Sequence, residues 1–517
     1  MSKRSVLSRR SVLAGVAVAT SIPFAGRAQA PIGREILIGQ GRLRGTLEGD
    51  ARVFKGVPYA EPPVGSLRFR PPQRAKPWNG VLTADQFGQI PLQGGAANGQ
   101  PLASEDCLSL NVWGPNTPGP HPVLVFCYGG GNNGGSSSQP VYDGAAFARD
   151  GIVAVTLNYR VGAMGWLELG PSLPAYAGSG NNALRDIIAG LTWVRENIAA
   201  FGGDPRQVTL GGVLAGSKNV LALLAAPSAA GLFQRAIAMS TSAHTVHEPA
   251  EAEKVARLMI DAHTGVAQDL LTATPEALLA AQRKVLDGYN HNSPFRSIID
   301  GQFLPSGLLD AFTKGRSSNV PLLIGTTRDE SASTLPRGAA EKPFPIDQKE
   351  LNSLDLSQIN DMALRYQKAF ADQVALDRRR RLVHAEEYWI SCLRVCEARA
   401  KHSAQTYMYR SDRVLETGLY KGYAPSGSDI PLNFATLDQG EVVNTGATIT
   451  ARDRALSKIT HQAWVNFIKT GTPSAAELPA WPSYAPDKRS TMILGYEPHL
   501  ESDPHRDERL LWQDTFR

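Results

Sequence analysis

Nothing in this chain of 517 residues looks like a membrane anchor, a metal centre or a nucleic-acid surface. The apolar stretch at residues 12–24 is too short to span a bilayer, so no membrane span is expected. There are four cysteines, Cys107, Cys127, Cys392 and Cys396, and no pair has zinc-knuckle spacing. No histidine and cysteine cluster has metal-ligand spacing either, and no cofactor is expected. A net charge of +5 is thin over this length, and no basic stripe is interleaved with aromatics. Nucleic acid is therefore not an expected partner. The arginine run at 378–381 reads as a solvated helix face. Cys392 and Cys396 lie four apart on a predicted helix, a geometry that suits a disulfide poorly. The sequence does not specify an oligomeric state.

The first 30 residues stand apart from the rest. Ser8-Arg9-Arg10-Ser11-Val12-Leu13 is a twin-arginine pattern, followed by the apolar stretch and by Ala28-Gln29-Ala30, a small-x-small cleavage site. This predicts a Tat signal over 1–30, cleaved after Ala30, and a bacterial protein exported to the periplasm or beyond. No internal repeat or long linker interrupts residues 31–517, which are expected to form one domain. A hydrophobic content of 42% is enough for a sizeable core.

The chain is organised around residues 201–220, FGGDPRQVTLGGVLAGSKNV. Residues 207–210 read as a strand entering a tight turn, Gly212-Val213-Leu214-Ala215-Gly216, and then a helix. A strand that turns into a helix on G-x-S-x-G is a nucleophile elbow, which lifts a serine oxygen above the end of a sheet. Both glycines are present, but the middle residue is Leu214, whose side chain has no atom able to attack a carbonyl. A bulky residue held in that turn costs on the order of 1–3 kcal/mol.

The remaining pattern is that of an α/β protein. Residues 36–54 alternate as an antiparallel hairpin, and 54–73 form a proline- and glycine-rich loop. Residues 122–128 are a buried apolar strand that runs into glycine-rich 129–135. Further buried strands are expected at 153–157 and 321–325, with an amphipathic helix over 183–199. Residues 248–319 and 354–402 are mostly helical in pattern.

Several segments resemble the type-B carboxylesterases, the α/β-hydrolase family that includes bacterial esterases and cholinesterases. They are FKGVPYAEPPVGSLRF, SEDCLSLNVW, YGGG with VYDG, LNYRVGAMGWL, WVRENIAAFGGDPRQVTL, IGTTRDES, GSDIPLNF and WVNFIKTGTP, in family order across nearly all of the mature chain. The resemblance implies the α/β-hydrolase fold: a large, mostly parallel central sheet flanked by helices, an N-terminal antiparallel hairpin, and helical insertions forming a gorge. It also implies an oxyanion hole from the N–H groups of Gly130, Gly131 and Ala215. Tyr128, just before the glycines, stands where the family has His or Tyr. The triad acid falls on Glu330, within Asp329-Glu330-Ser331.

The resemblance places the triad histidine at Ser426, since the family's His-Gly-x-Glu-Leu-Pro reads Ser426-Gly427-Ser428-Asp429-Ile430-Pro431 here. No histidine lies within twenty residues of it. It also implies a buried Glu105–Arg160 ion pair. Cys107 matches a half-cystine whose partner region, residues 87–93, holds no cysteine, so it is expected to be a free thiol.

Substitutes for the missing groups are few. Ser217 and Lys218 follow the elbow, but adjacent helical residues point apart, so helix packing is the plainer reading. His244 and His247 fall in a loop that lines the family's acyl pocket, and either could face the hole or sit exposed. Asn132 and Asn133 beside the glycines are candidate side-chain donors or turn formers.

Three functions are compatible with this pattern. One is a non-covalent catalyst of isomerase, lyase or cyclase type, acting on an apolar small molecule with a carbonyl through the hole and Glu330. Another is a pseudo-esterase that binds a small molecule or a protein without turnover. The last is an ester hydrolase with an unconventional nucleophile.

Overall fold

A computed structural model describes residues 32–94, 102–333, 346, 348–351, 353–439 and 446–515. The expected signal segment, 1–30, lies outside the described residues.

The chain opens with three strands, Ile32–Ile38 (β1), Gly41–Glu48 (β2) and Ala51–Pro58 (β3), each antiparallel to the one before. The expected hairpin is thus a three-stranded meander. The short strand Val81–Thr83 (β4) pairs with β2. Ser109–Pro115 (β5) lies antiparallel both to β3 and to Val153–Leu157 (β7). Between them in sequence comes His121–Cys127 (β6), parallel to β7.

From there the sheet continues parallel through Gly203–Val213 (β8), Arg235–Met239 (β9), Leu322–Thr327 (β10), Thr406–Ser411 (β11) and Ser490–Leu494 (β12). His499–Ser502 (β13) closes the far edge antiparallel, giving thirteen strands in one sheet. The middle strands are buried on both faces. Every residue of β7 and β10 is buried, which is why β7 and the first half of β10 read as short, mostly apolar runs with no alternation. The sequence places β7 correctly to the residue, whereas β8 starts four residues early, at Gly203, beyond a register shift against β6.

Helices cover both faces. Asn182–Asn197 (α1) and Ala215–Ala225 (α2) follow β7 and β8. Pro249–His263 (α3) and Pro275–Gly288 (α4) pack on one another, and Leu356–Ala369 (α5), Ala375–His384 (α6) and Ile390–Ala400 (α7) form the second helical insertion. Ala451–Thr470 (α8) begins at a capping box in which Thr450 and Asp453 satisfy each other's backbone N–H groups.

The strand order β5-β7-β6-β8-β9 reverses direction between β6 and β8. Crevices of this kind, beyond the carboxyl ends of the strands where the order switches, are where open α/β sheets bind ligands. β6 ends at Cys127, opposite Gly212 of β8, and Val213 lies opposite Met239 of β9. The glycine turn, Leu214 and the ends of β9 and β10 therefore come to one edge of the sheet.

Candidate active site

β8 ends at Val213 and α2 begins at Ala215, so Leu214 is the whole connection. Its backbone lies at φ 53° and ψ −120°, a region that non-glycine residues enter only under strain. The surroundings impose this conformation. Leu214 N–H donates to the Met239 carbonyl at 2.9 Å, and Lys218 N–H donates to the Leu214 carbonyl at 3.0 Å. Ser217 Oγ–H donates to the same carbonyl at 2.6 Å. A Cβ on Gly216 would collide with the carbonyl oxygens of Cys127 and Tyr128, so only glycine lets α2 start this close to β6.

The turn after β6 abuts this apex. Gly130 lies at φ 132° and Gly131 at φ 62°, and Asn133 N–H donates to the Gly130 carbonyl at 3.0 Å. A Cβ placed on Gly129 would come within 3.1 Å of the Leu214 Cβ and 3.3 Å of its Cδ1. Gly130 and Gly131 are exposed, and among the described residues their N–H groups meet no protein acceptor. Ala215 N–H is at the first turn of α2 and has no partner within the helix.

Behind the apex, Glu330 follows β10 and is only 1% exposed. Its Oε1 accepts from Ser240 Oγ–H at 2.5 Å and from Thr327 N–H at 2.7 Å. A parallel bridge between Asp329 and Pro425 brings the Ser426 loop alongside. It is reinforced by Asp329 N–H to the Ala424 carbonyl at 3.0 Å and Ala424 N–H to Asp329 Oδ2 at 2.8 Å. The Ser426 hydroxyl comes near enough to favour a charged Glu330. It stops short of a well-formed hydrogen bond, so Ser426 Oγ and Glu330 Oε2 are both buried without one. Burial dominates and pushes the Glu330 carboxyl up to about 7. The Ser240, Ser426 and Thr327 contacts oppose this, while the charge of Asp429 adds to it.

The remaining residues singled out in the sequence sit as follows. Tyr128 is buried and stacks on Tyr159 with ring centroids 4.4 Å apart, each hydroxyl donating to the other's carbonyl at 2.7 Å. Asn132 is buried, with its amide donating to the Phe295 carbonyl and its oxygen accepting from Asn219, both at 3.2 Å. Asn133 is half-buried, with an Oδ1 that meets no donor among the described residues. His244 Nε2 meets the Glu386 carbonyl and His247 Nε2 the Pro294 carbonyl, each at 2.9 Å. Burial holds both rings at about 4, so they are neutral at pH 7. Lys218 pairs with Glu387 at 2.8 Å, and Ser217 is fully buried against the elbow, the packing role expected for both.

Two expectations are overturned. Glu105 and Arg160 are buried but not paired: Glu105 takes Arg68 at 2.6 Å, and Arg160 takes Asp186 at 2.7 Å. Asp186 lies on α1 and takes Arg160 through its backbone N–H and guanidinium, just after β7 ends. The arginine run is not a solvated face, because Arg379 is buried against Glu350 and Arg380 is held by Asp377 and Tyr423. All four cysteines are buried free thiols. Clefts of about 350 and 410 Å³ lie away from the apex, one beside Trp113 and Asp143 and the other beside Leu92 and Glu105. The sequence reading also missed Ser240, which turns at φ 54° to reach Glu330, and Asp429, which bears on the same carboxylate.

A strand-turn-helix apex at the switch point of a mostly parallel sheet defines an α/β-hydrolase. More narrowly, the chain belongs to the carboxylesterase family, whose model matches residues 33–512. It is 36% identical over 494 residues to the para-nitrobenzyl esterase of Bacillus subtilis (strain 168), covering 91% of this chain and 96% of that one. With the phenmedipham hydrolase of Pseudarthrobacter oxydans it shares 32% identity, over 88% of this chain and 94% of the other. A solved PNB esterase structure superposes with a TM-score of 0.83 at 33% identity, covering 92% of this chain and 99% of that one. The family implies a small-molecule substrate, and no helix among the described residues is long and apolar enough to cross a membrane.

Proposed function

We propose that this chain catalyses proton transfer next to a carbonyl group and forms no covalent intermediate. Leu214 cannot act as a nucleophile, and Ser426 cannot act as a base without a partner to take its own proton. The N–H groups of Gly130, Gly131 and Ala215 hold the carbonyl oxygen and stabilise negative charge as it develops there. Ser426 Oγ accepts the proton from the carbon beside the carbonyl and passes its own to Glu330 Oε2. Reversing the relay onto a neighbouring carbon completes an isomerisation. Leu214 packs against the apolar part of the ligand.

The observation that carries this reading is Glu330 itself. Burial sets it at about 7, so it is available both as acid and as base at neutral pH. A fully committed triad acid would be ionised and would not exchange protons.

The test is proton exchange in heavy water. The purified chain is incubated with a panel of ketones, lactones and esters, and NMR follows the protons beside each carbonyl. Exchange is expected with at least one compound, falling on the order of 10²-fold in Glu330→Gln. Undiminished exchange in that variant ends the proposal.

One observation favours binding without turnover: the Leu214 side chain packs beside Gly129 at the start of the glycine turn. A compound that copurifies unchanged and shows no exchange selects that reading. Labelling by a fluorophosphonate, mapped to a side chain, selects ester hydrolysis by another nucleophile. Export through a twin-arginine leader is part of the same proposal. It rests on residues 8–30 and is checked by Arg9→Lys/Arg10→Lys, which is expected to retain the chain in the cytoplasm.

A further inference from the structure

The three oxyanion donors come from two separate elements. Gly130 and Gly131 belong to the turn after β6, and Ala215 begins α2. Such donors stabilise charge only if they converge on one oxygen, so the spacing between turn and helix has to be held. The side chain placed to hold it is Asn132.

Asn132 follows Gly131 at φ 59° and is 6% exposed. Asparagine is among the few side chains that tolerate this left-handed backbone. Its Nδ2 donates to the Phe295 carbonyl at 3.2 Å. A carbonyl can only accept, which fixes the orientation of the amide and leaves Oδ1 for the other side. There Oδ1 accepts from Asn219 Nδ2, also at 3.2 Å. Asn219 lies on α2, four residues after Ala215, and is 1% exposed. Among the described residues this is the one hydrogen bond that joins the glycine turn to α2.

The backbone beside it is held as well. The Asn132 carbonyl accepts from Gly162 N–H at 2.6 Å, and the Gly131 carbonyl accepts from Ser293 Oγ–H at 3.2 Å. Residues 293–295 therefore grip the turn at both Gly131 and Asn132.

We propose that Asn132 is a positioning residue for the oxyanion hole. Its bond with Asn219 locks the glycine turn to α2, and its bond to Phe295 locks the same turn to the 293–295 loop. Asn132 acts through the three N–H groups and does not itself touch the ligand. Without the amide, turn and helix relax apart and the donors no longer meet at one oxygen. A charged oxygen loses most from that change and a neutral ligand loses little. The inference rests on the reading that Gly130, Gly131 and Ala215 form the hole.

4-Nitrophenol tests this without turnover. Its phenolate carries negative charge on an oxygen and its neutral form does not, and the visible absorbance of the phenolate reports which one is bound. The wild-type chain is expected to hold the phenolate more tightly than the phenol. Asn132→Gly keeps the left-handed backbone and removes the amide, whereas Asn219→Ala removes only the bond to α2. Each is expected to weaken phenolate binding about tenfold, with phenol binding unchanged. The double variant should lose no more than Asn132→Gly alone, because the two amides form one tie. Either single variant decides the matter if the other does not fold. Phenolate binding undiminished in a folded variant, or weakened only as much as phenol binding, overturns the positioning role. A wild-type chain with no preference for the phenolate has no working hole, and the proton-transfer reading falls with this one. The expected phenolate results without exchange in heavy water end the proton-transfer reading alone and leave the role of Asn132 standing.

Discussion

Leu214 keeps a strained backbone that a nucleophile would need and a leucine does not. The proposed function takes this as an esterase elbow whose apex residue is exchanged, and such a frame can be refilled. Restoring the alcohol alone, Leu214→Ser, leaves no base, and restoring the imidazole alone, Ser426→His, leaves nothing to activate. Triad members act as a unit, so each single change is expected to leave p-nitrophenyl ester hydrolysis at background. The double variant should raise kcat on the order of 10³-fold or more, with stoichiometric fluorophosphonate labelling at residue 214. Failure of the double variant while the fold is retained would mean that the glycine turn does not form a working hole. Glu330 gives a second prediction at this scale. Its folded value of about 7 lies above the ordinary 4.5, so the fold favours the neutral acid. The stabilising preference is complete below pH 4.5 and is lost as pH rises through 7. Glu330→Gln, neutral at every pH, should therefore gain about 3 kcal/mol relative to wild type on going from pH 5 to pH 8, measured by urea unfolding at each pH.

At the scale of elements, the joint between β8, α2 and β6 fixes the site. Gly216 lies in the first turn of α2, where the Cys127 and Tyr128 carbonyls leave no room for a side chain. Gly216→Ala forces β6 and α2 apart, and overpacking of a buried joint costs about 1–3 kcal/mol. The urea midpoint should fall with an unchanged slope, and the hole should open because Ala215 moves with the helix. Much of this joint is legible in the chain, since G-x-x-x-G between a strand and a helix has few other uses. β7 is legible too, because burial on both faces leaves four apolar residues around a single threonine, with no polar alternation to confuse them. Partners brought from elsewhere are not legible. Arg379 looks solvated until Glu350 arrives from an insertion that local periodicity cannot place. Arg160 could meet either of two buried acids, and only the docking of α1 decides for Asp186. Ser240 and Asp429 escape for the same reason, since each matters only because β9, β10 and β11 end side by side.

Across the whole molecule, buried titratable groups of both kinds compete. His244, His247 and His505 are held at about 4, and His384 at about 3, in each case chiefly by burial. Each is neutral in the fold where the unfolded chain would already be protonated. Their contribution is intact above pH 6.5 and is lost as pH falls through 4. Glu330 and Asp429 act the other way, being protonated in the fold up to about 7 and about 6. Near pH 5 the unfolded chain therefore takes up protons at these histidines and gives them up at these two carboxyls, with a net uptake of about two over the six groups. Stability should then rise with pH by roughly 2.7 kcal/mol per unit in that window. Replacing both acids, Glu330→Gln with Asp429→Asn, removes the opposing pair and should bring the uptake close to four, steepening the slope about twofold. The quantity to measure is the unfolding free energy in urea at half-unit steps from pH 4.5 to 6.5. An unchanged slope in the double variant would mean that the two carboxyls are already ionised in the folded chain at pH 5, and that burial does not keep them from water.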